Sequence, residues 1–159
     1  MIKNRNNKNT ASLFDRLNEA NHSDLIKGID NQKMKQMVVR DLLSLLNTTS
    51  YYYSNEDDRI FEYESSVLNF GIEAISGKRV SEIDWVHVER NIQKAIMMFE
   101  PRILKTNLEV KCVFGTDTKA KYNLMNIEIK GFIKSTPFPE RFVIKTHLDV
   151  ETGNFDLIN

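Results

Sequence analysis

The chain has a single cysteine, Cys112, among 159 residues. No internal disulfide can form, and a zinc site built on several cysteines is excluded. A lone thiol suits a reducing compartment. There is no excess of charge: 22 Lys and Arg face 22 Asp and Glu, which removes the global electrostatic footprint of a nucleic-acid binder. No apolar run nears the roughly 20 residues that span a bilayer. Residues 1–10 are basic but lack the apolar stretch of a secretion signal. The six glycines are scattered, so no loop can cradle a phosphate with consecutive backbone amides. The three histidines, His22, His87 and His147, do not have the spacing of metal ligands. The expectation from these absences is a cytoplasmic protein with no cofactor and no metal.

What is present is an ordinary globular composition, 41% hydrophobic and 28% charged, in a length that encloses one core. Residues 1–10, rich in Asn and Lys, cannot bury enough apolar surface to order themselves and are expected to be flexible. Residues 12–17, SLFDRL, form a brief amphipathic patch. It is too short to be a stable helix alone, so it either packs on its own domain or docks in a partner's groove; the pattern does not choose. Residues 21–31 read as a linker. The organisation expected is thus a flexible segment over residues 1–30, carrying a docking motif at 12–17, followed by one α+β domain over 31–159.

Within that domain, Met34, Val38, Leu42, Leu45 and Leu46 recur at steps of three and four, predicting a helix over residues 32–47. Residues 51–53 and the acidic stretch 56–64 read as a loop. A short helical piece over 65–70 should end at Gly71, a residue suited to positive φ. Trp85, Val88, Ile92, Ala95 and Phe99 predict a second helix over 84–99, capped by Asp84 and stopped by Pro101. Beyond it the period falls to two. Leu108, Val110, Cys112 and Phe114 form one alternating run. Met125, Ile127, Ile129 and Ile133 form a second, and Phe142, Ile144, Leu148 and Val150 a third. These predict a three-stranded, or slightly larger, antiparallel meander with helices packed on one face.

Catalytic chemistry finds little support. Cys112 shares a face with apolar residues and reads as a buried, inert thiol. His147 falls on the polar face of the last strand and reads as solvated. His87 reads as a surface or boundary residue. Glycoside hydrolysis needs two carboxyl groups flanking one bond, and the acids here lie in loops or on solvent faces. The corner at residues 99–103 is more informative. Glu100 sits at a helix C-terminus, where the macrodipole disfavours a carboxylate by about 0.3–1 kcal/mol, and Arg102 is close enough to compensate. Two readings stay open from chemistry alone. One is a local Glu–Arg contact around a proline stop; the other is a pair that meets another chain, where a guanidinium binds a carboxylate through two hydrogen bonds.

The segment Phe99-Glu100-Pro101-Arg102-Ile103 resembles the Phe-Glu-Pro-Arg-Leu motif of the type VI secretion baseplate subunit family TssE and of the lysozyme-like wedge proteins of contractile phage tails. Three other segments agree in order. SLFDRL (Ser12, Leu13, Phe14, Asp15, Arg16, Leu17) resembles the N-terminal motif of that family. VVRDLLSLLNT at 38–48, with Arg40 and Asp41, is similar to its arginine-aspartate-leucine helix. SSVLNFG at 65–71 resembles its Ser-Val-Leu-Asn-Tyr-Gly segment. Departures are Ile72-Glu73-Ala74 where the family has Leu-Pro-Asp, Ile103 for leucine, and three tyrosines at 51–53.

The resemblance implies a structural wedge component and no catalysis. It would assemble with TssF and TssG, with TssK nearby, and link the wedge to the TssB–TssC sheath at a baseplate docked on the inner membrane. It implies partner contacts at Glu100, Pro101 and Arg102, with Leu13, Phe14, Asp15, Arg16, Leu17, Arg40 and Asp41 carried over from the matching motifs. Replacing Arg102 by alanine would then weaken assembly and leave the isolated fold largely intact. The family's likeness to a sheath domain implies that a sheet edge accepts strands, and residues 141–150, read as the terminal strand, would offer it. The competing reading is a peptidoglycan-cleaving enzyme, suggested by the family's lysozyme label and the abundance of carboxylates.

Overall fold

The computed structural model describes residues 30–51, 64–113 and 123–158. The SLFDRL motif, residues 1–10, His22, Phe114 and most of the acidic stretch lie outside the described residues.

Helix α1 spans Asn31–Leu46, and the Asp30 carboxylate caps it by accepting the Asn31 N–H at 2.9 Å. Its buried stripe is Met34, Met37, Val38, Leu42, Leu45 and Leu46, the positions that the three- and four-residue spacing selects. Helix α2 spans Trp85–Phe99. Asp84 Oδ1 accepts the N–H groups of Val86 and His87 at 3.0 and 3.2 Å, and the helix ends at Glu100, before Pro101. Strands β1 (Glu109–Val113), β2 (Leu124–Ile133), β3 (Glu140–Asp149) and β4 (Phe155–Leu157) form one antiparallel sheet in the order β1-β2-β3-β4. Its apolar face carries Val110, Met125, Ile127, Ile129, Ile133, Phe142, Ile144 and Leu148, all buried in one core with α1 and α2. The architecture is α+β in a single domain, with both helices on one face.

Two expectations need correction. The segment at 65–70 is only a three-residue 3-10 turn, Val67–Asn69. The expected three-stranded or slightly larger antiparallel sheet is present with four strands, the short Phe155–Leu157 pairing with Thr146–Leu148. That pairing makes β3 an inner strand along its second half, so residues 141–150 are not the terminal strand.

Two glycines are required by close approach. A Cβ on Gly131 would lie 2.9 Å from the ring of Phe142, its partner across β2 and β3. Gly71 has φ +134°, and a Cβ there would meet the Thr48 carbonyl oxygen at 2.4 Å. The positive φ expected of Gly71 is present, but the close neighbour is the end of α1. Ile72 N–H donates to the Thr48 carbonyl at 2.9 Å and Ser50 N–H to the Ile72 carbonyl at 2.8 Å, a short parallel bridge just past the ends of two motif segments.

Candidate partner-docking corner

The end of α2 is fixed to the sheet by backbone. Leu104 N–H donates to the Phe132 carbonyl at 2.8 Å and Lys134 N–H to the Arg102 carbonyl at 2.7 Å. Lys134 Nζ also reaches the Pro101 carbonyl at 2.6 Å. Residues 102–104 thus extend the sheet beside the end of β2, and the side chain of Arg102 is aimed by that pairing.

Arg102 holds two carboxylates. Its backbone N–H and Nε donate to Glu100 Oε1 at 3.0 and 2.7 Å, and its Nη2 donates to Glu100 Oε2. The same Nη2 donates to Asp41 Oδ2 on α1 at 2.6 Å. Asp41 Oδ1 in turn accepts Arg40 Nε and Nη2 at 2.9 and 2.7 Å. The four charges alternate in sign, and side-chain exposure rises along them, from 5% at Glu100 through 19% and 31% to 56% at Arg40. Burial by itself would lower the Arg102 pKa. The hydrogen bonds to Glu100 and Asp41 outweigh it and hold the guanidinium above its ordinary value. One donor is left over: Arg102 Nη1 is buried and finds no acceptor among the described residues.

The structure therefore brings Glu100, Arg102, Asp41 and Arg40 together, with Pro101 exposed at the turn. The local Glu–Arg contact is present, and Asp41 extends it to a second element. The expectation that Arg102→Ala leaves the fold intact does not survive this geometry, because the change would strand a buried carboxylate. The motif at 65–71 joins the same region: Phe70 packs edge-on against Phe99, ring centroids 5.4 Å apart.

Glu73, within the segment that departs from the family pattern, has a cluster of its own. Its Oε2 lies 3.0 Å from His87 Nε2 and its Oε1 3.2 Å from Lys78 Nζ. Desolvation would raise its pKa, but the bonds to His87 and Lys78 prevail and lower it. His87 is thus a boundary residue with a carboxylate partner. His147 is half-buried, 3.9 Å from Asp156. Cys112 is half-buried too; burial, then the charge of Glu89, pushes its thiol up to about 12, far from the thiolate a nucleophile needs.

The buried carboxylates Glu64 and Glu100 are each paired with a cation, Glu64 with Lys94 at 3.3 Å. A glycosidase acid sits instead in an apolar pocket facing a second carboxylate. No described helix is long and apolar enough to cross a membrane.

The charge ladder of this α+β domain ties α1, the turn after α2 and the end of β2 together and reaches the surface at Arg40. The family model described as baseplate wedge protein gp25 matches residues 32–137, and the chain belongs to that family, whose members are structural components that assemble with other baseplate parts. No curated protein and no solved structure matches it.

Proposed function

We propose that the chain is a non-catalytic wedge subunit of a type VI secretion baseplate. In this reading it is cytoplasmic, is recruited to the baseplate docked on the inner membrane, assembles with TssF, TssG and TssK, and links them to the TssB–TssC sheath. The observation that carries the reading is the charge ladder from Glu100 to Arg40 on a rigid corner, within a chain of the wedge family. Glu100 is too deeply buried to touch a partner and acts by orienting Arg102. The contacts fall to Arg40, Asp41, Pro101 and the outer edge of Arg102, with Leu13, Phe14, Asp15, Arg16 and Leu17 as a second attachment point.

The test uses Arg40→Glu in the full chain. Arg40 is exposed and its pair with Asp41 is a surface one, so the variant should stay folded and lose about 1 kcal/mol or less. Its recovery of TssF and TssG on co-purification from the native host should fall sharply. Wild-type recovery of those subunits would remove the corner from the interface. Turnover of cell-wall material by the purified chain would overturn the non-catalytic reading.

A further inference from the structure

The two helices differ in what meets their flanks. α2 is bonded to the β1 side of the sheet: Glu89 Oε1 accepts the Cys112 N–H at 2.6 Å, and Gln93 Nε2 donates to the Leu108 carbonyl at 2.8 Å. On α1, Gln32, Lys35, Val39 and Leu43 follow one another at steps of three and four beside the buried stripe. They line a groove of about 880 Å³, with Arg40 next to them and Leu157 of β4 at the far end. That end is fixed by Asn47, whose side chain accepts the Phe155 N–H at 2.8 Å and donates to the Phe155 carbonyl at 3.0 Å. Val39 and Leu43 are half-buried and Leu157 is exposed, so a narrow aliphatic strip faces the groove. Among the described residues no helix or strand lies over it.

A strip of this width suits one turn of an amphipathic helix, and the chain carries such a turn just upstream. In the SLFDRL motif, Leu13, Phe14 and Leu17 stand at i, i+1 and i+4 and share one side of a helical turn. Residues 18–29 join the motif to α1. A flexible link of that length has a root-mean-square span of about 19 Å. Val39 and Leu43 lie about 12–18 Å along α1 from its start. Effective concentration is greatest when link and span match, and it reaches the millimolar range for short links. An affinity too weak to hold a separate peptide therefore suffices for a tethered one. The signs of charge agree as well. The groove lining has Lys35 and Arg40 and no acid, whereas residues 12–20 carry Asp15 and Glu19 against Arg16. Residues 1–10, with Lys3, Arg5 and Lys8 and no acid, have the wrong sign.

We infer that in the free chain the SLFDRL motif folds back as a helical turn onto α1, with Leu13, Phe14 and Leu17 in the groove against Val39 and Leu43. The motif's first partner is then its own domain. The seat borders Arg40, the most exposed member of the charge ladder, so a subunit that reaches the corner meets the motif there and draws it out. That release rests on the proposed assembly; the seat itself does not.

The test compares the full chain, alone and at micromolar concentration, with a synthetic peptide of residues 10–20. A motif seated about nine-tenths of the time should slow hydrogen exchange at the Leu17 and Asn18 amides about tenfold relative to the peptide. Nuclear Overhauser contacts should join the Phe14 ring to the methyl groups of Val39 and Leu43. Both signals should survive tenfold dilution, since the contact is within one chain. Phe14→Glu should abolish them and leave the domain folded. Leu43→Glu should abolish them from the groove side, and Phe14→Glu carries the test alone should that variant misfold. Exchange at the peptide's rate, or Val39 and Leu43 methyl signals that do not move on Phe14→Glu, overturns the inference. Protection that fades on dilution gives the groove to a second copy, and methyl shifts that arise only when wedge subunits are added give it to a partner; either result overturns it too. Every measurement bar the last is made on the chain alone, so failure of TssF and TssG to bind would sink the assembly reading and leave the seat standing.

Discussion

Asp41 Oδ2 and Arg102 Nη2 lie 2.6 Å apart although 61 residues separate them in sequence. This contact ties the middle of α1 to the turn after α2, and through Arg102 it reaches Glu100, which is almost wholly buried. One guanidinium thereby joins both helices and, by its backbone bond with Lys134, the end of β2.

Removing that guanidinium should be costly. Arg102→Ala leaves Glu100 buried without its cation, a loss of about 3 kcal/mol. Asp41→Ala, at a more exposed position, should cost about 1 kcal/mol. Urea denaturation of both single variants and the double variant gives the coupling, expected at about 0.5–1 kcal/mol or more. Strict additivity would show that the contact contributes nothing to the fold.

Gly71 should resist substitution for a reason separate from charge. An alanine there combines a φ of +134° with a Cβ placed against the Thr48 carbonyl, and the backbone would have to move. Gly71→Ala is expected to cost about 2–3 kcal/mol. Hydrogen exchange should quicken at Ser50 and Ile72, whose N–H groups form the bridge. A neutral substitution with unchanged exchange would show that the end of α1 and the turn at 67–69 are not locked together.

Acid should weaken the clamp made by Glu73. Its folded pKa lies below the ordinary 4.5 because His87 and Lys78 donate to it. The unfolded chain therefore takes up the proton first as pH falls. The stabilisation is complete above about 4.5 and disappears as pH drops through the lower, folded value. The stability difference between wild type and Glu73→Gln should be constant near neutrality and shrink in acid. A gap that stays constant throughout acid titration would exclude the clamp as a source of stability.

Periodicity carried the helices and three of the strands, because each of those elements buries a repeating face. Val38, Leu42 and Leu45 mark α1, and Ile127, Ile129 and Ile133 mark β2. It could not reveal β4, a three-residue strand with only Phe155 buried, or the Asn47 side chain that closes its edge. The corner was legible only in part. Glu100 and Arg102 are neighbours in sequence, and the proline between them signals a stop. Their connection to Asp41 depends on how α1 lies across the sheet, and no local pattern encodes that crossing. Glu73 gave no signal at all; its partners come from a loop and from the first turn of α2.

The helix lying over β1 has one more consequence. A sheet whose first side is met by Glu89 and Gln93 of α2, and whose far strand has only three residues, presents two unlike sides. Such a piece has a front and a back.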